Sequence, residues 1–149
     1  MGAGAMGCLY GGHLAEAGVD VTLVDIWREH VDAINAKGLH ITGVSGNRAV
    51  HVPATTDPET VGEVDLMLLF VKSYDTAQAV RDSSPLIGGD TCVLTLQNGL
   101  GNLEAITEAV GAGRVLGGTT SHGSTLVGPG EMRHAGVGPT VIGALDRGP

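Results

Sequence analysis

Gly2-Ala3-Gly4-Ala5-Met6-Gly7 follows Met1 directly, and its reading decides the fold. The spacing is G-x-G-x-x-G. In that arrangement the first glycine permits a tight turn, the second lets backbone approach a pyrophosphate, and the third lets a helix pack closely on a sheet. The helix that follows offers unpaired N–H groups and a partial positive charge to phosphate oxygens. Glycine supplies 25 of 149 residues, against a usual share of about 7%. In such a chain the hexapeptide alone is a weak signal, and a glycine turn without a ligand is the other reading. Its surroundings strengthen it. Residues 5–17 read as a helix stopped by Gly18, and residues 19–24 as a β-branched strand running into Asp25. Asp25 stands roughly 20 positions after the first glycine, where a carboxylate can accept hydrogen bonds from a ribose 2′-OH.

Outward from this point, apolar runs alternate with helix-period segments separated by glycine, the pattern of a parallel sheet with crossover helices. Trp27, Val31 and Ile34 recur at helical spacing, and Gly38 closes that helix. Residues 39–41 and 50–52 predict a strand pair across a polar Gly/Ser/Asn loop. Asp57-Pro58-Glu59 predicts an N-cap with proline at the first position of a short helix. The unbroken apolar run 66–71 predicts a central strand covered on both faces. A helix over 75–86 and a strand over 91–96 follow, then the loop Gln97-Asn98-Gly99-Leu100-Gly101-Asn102. Leu103, Ile106 and Val110 carry the next helix, and 115–120 is a further strand. Gly128-Pro129-Gly130 is a turn between extended pieces that read as antiparallel strands through Ile142.

The fold class is therefore α/β, a Rossmann-type, doubly wound, mostly parallel sheet. Two ends depart from it. Such a unit begins with a strand that delivers the chain into the glycine loop, and here that first strand is missing. Asp146-Arg147-Gly148-Pro149 stops where an interdomain connection is expected. Residues 1–149 thus read as one dinucleotide-binding domain truncated at both ends.

The bulk numbers agree with one ordinary globular domain. Hydrophobic residues make up 42%, charged residues 16%, and mean hydropathy is +0.20. Aromatics are only 3%, so the core must be aliphatic. The net charge of −8 comes with no basic stripe, which argues against nucleic acid and anionic membranes as partners. The run 66–71 is far shorter than a membrane span, and no leader pattern precedes the glycine motif. Cys8 and Cys92 fall in a helix-like and a strand-like segment, which predicts buried free thiols in a reducing compartment, the cytoplasm. No metal site is expected.

Further candidates come from topology. Lys72 ends the strand 66–71, Asn98 follows the strand 91–96, and His122 follows the strand 115–120. In open α/β sheets ligands bind outside the carboxyl ends of the strands. A lone lysine there can be a solvated charge, and Asn-Gly can be a plain turn. Placed together at one edge, Lys72 and Asn98 read as functional, whereas His122 reads as a structural or rim histidine. Arg28, three residues past Asp25, can pair with a ribose 2′-phosphate.

The series GAGAMG, VKSYDT, LQNGLGN, GTTSHGS and HAGVGPTVIG, in this order, resembles the amino-terminal domain of the ketopantoate reductase family over nearly the whole chain. The resemblance implies an oxidoreductase that reduces 2-dehydropantoate to (R)-pantoate with NADPH, a step toward pantothenate and coenzyme A. It implies cofactor contacts for Lys72, for Asn98 and for the backbone of Gly123. For Asn98 it adds contact with the substrate, which makes that residue the catalytic candidate. On the cofactor, the resemblance implies NADP(H), while Asp25 argues for NAD(H), because a carboxylate there repels a 2′-phosphate. NADP(H) is favoured and NAD(H) admitted.

The family's proton-donating lysine, its substrate-binding asparagines and a cofactor-contacting glutamate belong to a helical second domain, absent from residues 1–149. The chain as written is therefore expected not to turn over ketopantoate alone. Its expected partner is a small-molecule 2-oxo acid, and the oligomeric state is left open. Two other readings stand beside the first. One is a dinucleotide-binding or sensing module without catalysis, the other a related reductase of another 2-oxo acid.

Overall fold

Residues 1–145 are described by the computed structural model; the stretch 146–149, expected to lead into an interdomain connection, lies outside the described residues. The first half of the chain forms α1 (Ala5–Glu16), β1 (Leu23–Val24), α2 (Arg28–Lys37), β2 (Leu39–Gly43), β3 (Arg48–Val50), β4 (Ala54–Thr55) and β5 (Leu66–Leu69). Then come α3 (Thr76–Asp82), β6 (Cys92–Thr95), α4 (Asn102–Val110), β7 (Val115–Thr120), β8 (Gly123–Gly128), β9 (Glu131–Gly136) and β10 (Thr140–Ala144). The elements divide between two units. The glycine-loop unit holds Gly2–Asp57 and Ser121–Pro139, and the strand-end unit holds Met1, Pro58–Thr120 and the chain from Thr140.

In the glycine-loop unit, α1 carries glycine where it lies close to strands. A Cβ on Gly11 would come within 2.5 Å of Leu23 Cδ2, and one on Gly12 within 2.7 Å of Ile41 Cδ1. Each glycine costs about 1 kcal/mol of helix propensity relative to alanine, and the close packing offsets it. The helix stops as Gly18 predicts. The Gly18 N–H donates to Ala15 O and the Val19 N–H to Leu14 O, both at 3.0 Å, the paired bonds of a Schellman ending. The core is aliphatic, as the composition requires, with Leu9, Ile34, Leu39, Ile41 and Met132 fully buried.

Two sheets serve this unit. β1 pairs in parallel with β4, and the other runs β3-β2-β9-β8. The expected strand over 19–24 shrinks to two residues because its partner β4 offers only Ala54 and Thr55. β2 and β3 pair antiparallel, as predicted, with Leu39 opposite Val50. The turn at 128–130 joins the antiparallel pair β8 and β9, but β9 also lies parallel to β2. Met132 and His134 point inward while Glu131, Arg133 and Ala135 are exposed, the period-two alternation of a half-covered strand.

The strand-end unit is a four-stranded sheet in the order β10-β7-β6-β5, with β5, β6 and β7 parallel and β10 antiparallel. Among the described residues the apolar run 66–71 pairs with β6 on one edge and meets Met1 on the other. Leu66 is 43% exposed, and along β5 the Met1 ammonium donates to Leu68 O at 2.7 Å while the Phe70 N–H donates to Met1 O at 2.9 Å. The expected helix over 75–86 is broken. α3 ends at Asp82 and a 3-10 turn at Ser84–Leu86 replaces its last turn, because Pro85 lacks an N–H and disfavours helical backbone before it. Asp57-Pro58-Glu59 likewise opens only a 3-10 turn, Pro58–Thr60. Both cysteines are free; Cys8 is buried, but Cys92 is only half-buried. Among the described residues no helix is long and apolar enough to cross a membrane.

Candidate functional site

In the glycine-loop unit the hexapeptide is held by its backbone. Gly2 has φ of +87°, a conformation L side chains rarely adopt, and its N–H donates to Val24 O at 2.8 Å. Ala3 is buried and its peptide groups are engaged on both sides. Its N–H donates to Asp25 Oδ2 at 2.7 Å. Its carbonyl accepts from Cys8 Sγ at 3.0 Å and lies 2.9 Å from His30 Nε2. Burial, with the nearby Asp25 charge second, pushes the Cys8 thiol up to about 12, so the sulfur stays protonated and donates.

Gly4 is the N-cap of α1, in extended conformation, and a Cβ there would meet nothing within 4 Å. The space on the Cβ side of Gly4 is therefore open. Ala5, Met6 and Gly7 begin α1, whose first-turn N–H groups have no intrahelical acceptor. No side chain caps them, and no acidic residue stands in the first turn to repel an anion. Loop and helix end together fit a pyrophosphate.

Asp25 accepts a second backbone bond, from the Trp27 N–H to Oδ1 at 2.9 Å. Its carboxylate thus ties the glycine loop to the entry of α2. Arg28 begins α2, exposed, and donates from Nη2 to Thr56 Oγ1 at 3.1 Å. Gly123 begins β8 opposite Gly136. The next residue, Ser124, donates from Oγ to Met6 Sδ at 2.8 Å, which brings this end of β8 to the first turn of α1. His122 is built into the same unit. Its Nδ1 lies 3.1 Å from Nε2 of buried His134, and its ring meets Tyr10 edge-on.

In the strand-end unit Lys72 and Asn98 lie just past the carboxyl ends of the neighbouring parallel strands β5 and β6, both exposed. A relay of neutral side chains fixes these two strand ends. Gln97 Nε2 donates to Val71 O at 2.5 Å and to Thr76 Oγ1 at 3.0 Å. Thr76 donates to Asn102 Oδ1 at 2.8 Å, and Asn102 Nδ2 donates to Asn98 O at 3.2 Å and Gly99 O at 3.3 Å. The loop therefore presents the Asn98 side chain from a backbone held by Asn102.

The glycine loop, Asp25, Lys72 and Asn98 were candidates from the sequence; His30 and the relay Gln97, Thr76 and Asn102 were not. His30 could have been found, since it lies three residues after Trp27 and four before Ile34 on the apolar face of α2. The relay joins positions too distant in sequence to leave a periodic signal.

The chain matches the family described as Ketopantoate reductase PanE/ApbA over residues 1–147. It is 45% identical to 2-dehydropantoate 2-reductase of Halobacterium salinarum over 143 residues, 95% of this chain and 47% of that one. The solved 2-dehydropantoate 2-reductase of Geobacter metallireducens superposes with a TM-score of 0.90 at 36% identity, covering 97% of this chain and 48% of the other. D-mandelate dehydrogenase, in a ternary structure with NADH and anilino(oxo)acetate, superposes with a TM-score of 0.92 at 34% identity, covering 99% and 48%. The chain thus spans about half the length of the relatives it matches.

Proposed function

From the premise that this chain belongs to the ketopantoate reductase PanE/ApbA family, we propose that it is the dinucleotide-binding part of an enzyme reducing 2-dehydropantoate to (R)-pantoate with NADPH. The observation that carries this reading is the glycine loop at the uncapped start of α1, pinned at Ala3 by Asp25. When bound, the dinucleotide supplies a hydride from its nicotinamide C4 to the substrate carbonyl carbon. The backbone N–H groups from Gly4 to Gly7 hold the pyrophosphate, while those of Gly2 and Ala3, bonded to Val24 O and Asp25, shape the loop. Gly123 offers backbone from β8, Lys72 a positive charge to the cofactor, and Asn98 an amide that orients substrate and cofactor. The proton for the carbonyl oxygen would come from a general acid; by the chain's resemblance to the family, a helical second domain would supply it.

The cofactor assignment rests on how Asp25 and Arg28 are used. Both Asp25 oxygens accept backbone N–H groups, which commits the carboxylate to holding the loop and the entry of α2. Arg28 at the next helix start is the phosphate reader. NADPH is therefore the preferred cofactor, with NADH accepted less well. In the full protein, Arg28→Ala should weaken NADPH by about tenfold, roughly 1.4 kcal/mol, and leave NADH nearly unchanged. Dissociation constants for both cofactors check it; equal loss of both removes Arg28 from this role. A second reading, reduction of another 2-oxo acid, draws on the likeness to D-mandelate dehydrogenase. Turnover of 2-dehydropantoate against aryl 2-oxo acids by the full protein separates the two.

A further inference from the structure

His30 is 1% exposed on α2 and has no part in the roles assigned so far. Its ring is bonded at both nitrogens. The backbone N–H of Gly130, in the turn between β8 and β9, donates to Nδ1 at 2.9 Å. An Nδ1 that accepts carries no proton, so the neutral ring holds its hydrogen on Nε2. That Nε2–H faces Ala3 O at 2.9 Å and donates to it. The opposite tautomer would set two lone pairs against each other at the same distance. Gly130 makes the arrangement available. It has φ of +73°, and a Cβ would lie 3.0 Å from Ala33 Cβ, so only glycine brings this N–H so close to α2. Trp27 stacks on the ring with centroids 5.3 Å apart and planes inclined by 14°.

The Ala3 carbonyl belongs to the Ala3–Gly4 peptide. In a planar trans peptide the C=O and N–H point opposite ways, and the chain has no cis bond among its described residues. Drawing the carbonyl inward toward His30 therefore turns the Gly4 N–H outward, at the residue whose Cβ side is open. We infer that His30 is a positioning residue of the dinucleotide site. Its Nε2–H holds the Ala3–Gly4 peptide in the one rotation that presents the Gly4 N–H to the pyrophosphate, and Gly130 fixes the tautomer that makes this donor. The inference rests on the proposed dinucleotide binding and deepens it.

Two side-chain replacements separate the ends of the ring in the full protein. Asn at 30 can place an acceptor near the Gly130 N–H but does not reach Ala3. Gln at 30 can place a donor near Ala3 O but forfeits Gly130. Both His30→Asn and His30→Gln should lower the unfolding midpoint. Only His30→Asn should weaken NADPH, by about tenfold, with His30→Gln within about threefold of wild type, the scale of one buried hydrogen bond. Equal weakening by both variants, or by neither, overturns the role of His30 while wild-type binding leaves the cofactor reading standing. A wild-type protein that binds neither NADPH nor NADH overturns the cofactor reading and this inference together. Imidazole 15N shifts of the wild-type protein provide a reading that needs no variant. A proton on Nδ1 of His30 overturns the inference, and a proton on Nε2 supports it.

Discussion

The glycine-loop unit and the strand-end unit anchor their candidate residues by different chemistry. In the first, the groups offered to a ligand are backbone N–H donors, and the side chains that hold them are an aspartate, a thiol and an imidazole. In the second, the offered groups are the side chains of Lys72 and Asn98, and the backbone beneath them is held by uncharged amides and a hydroxyl. Backbone N–H groups carry no charge of their own to orient them, so a fixed acceptor behind the loop does that work. A loop presenting a long or amide side chain needs only a firm base, which a neutral relay supplies without a buried charge to desolvate.

The largest effect that tests this contrast comes from Asp25. Asp25→Ala strips acceptors from the Ala3 and Trp27 N–H groups at once. Urea unfolding should show a loss of about 2–4 kcal/mol, two charge-assisted bonds at typical worth, accompanied by at least about tenfold weaker NADPH binding. An unchanged midpoint would mean that the loop holds itself and that the aspartate serves only the ribose.

A smaller loss is expected on the other side. Thr76→Val removes both the acceptor for Gln97 and the donor for Asn102, at about 1–2 kcal/mol. Turnover of the 2-oxo acid by the full protein should fall, and NADPH binding should weaken less than in Asp25→Ala. A parallel collapse of cofactor binding would erase the distinction between the two anchoring schemes.

The smallest effect sharpens the point that burial decides the worth of a charge. Glu16 and Arg48 pair in the glycine-loop unit, with Nη2 to Oε2 at 2.6 Å, yet near the surface. The Arg48 hydrogen bond, the first of several causes, lowers the Glu16 carboxyl below its ordinary 4.5. A depressed folded value contributes stability above the unfolded value that is lost as pH falls through the folded one. Wild type should exceed Glu16→Gln by less than about 1 kcal/mol near neutrality. The gap should close below the ordinary carboxylate range, as read from melting midpoints across acid pH. A gap as large as that for Asp25 would contradict the ranking.

Much of this architecture is legible in the sequence where the signal is local. The hexapeptide, the helix stop at Gly18 and the spacing to Asp25 lie within one β-turn-α neighbourhood, and each has a backbone requirement that few residues satisfy. What the sequence hides is the use of Asp25. Spacing suggests a partner for ribose, and the structure adds that each oxygen also accepts a backbone N–H, from Ala3 and from Trp27. The parallel seating of β9 on β2 joins residues some 90 positions apart, beyond any periodic reading. The position of Lys72 and Asn98 past strand ends was legible because strand ends are; the relay beneath them was not.

Cys8 gives the loop a clock. Its thiol is fully buried, held protonated by an acidity near 12, and bonded to Ala3 O. Alkylating reagents attack the exposed thiolate, so modification of this sulfur waits on the rare moments when the loop lifts from α2. The slow phase of thiol labelling, set against the half-buried Cys92, then counts those openings directly. Any ligand that seals the loop lengthens that phase by the factor 1 + [L]/Kd.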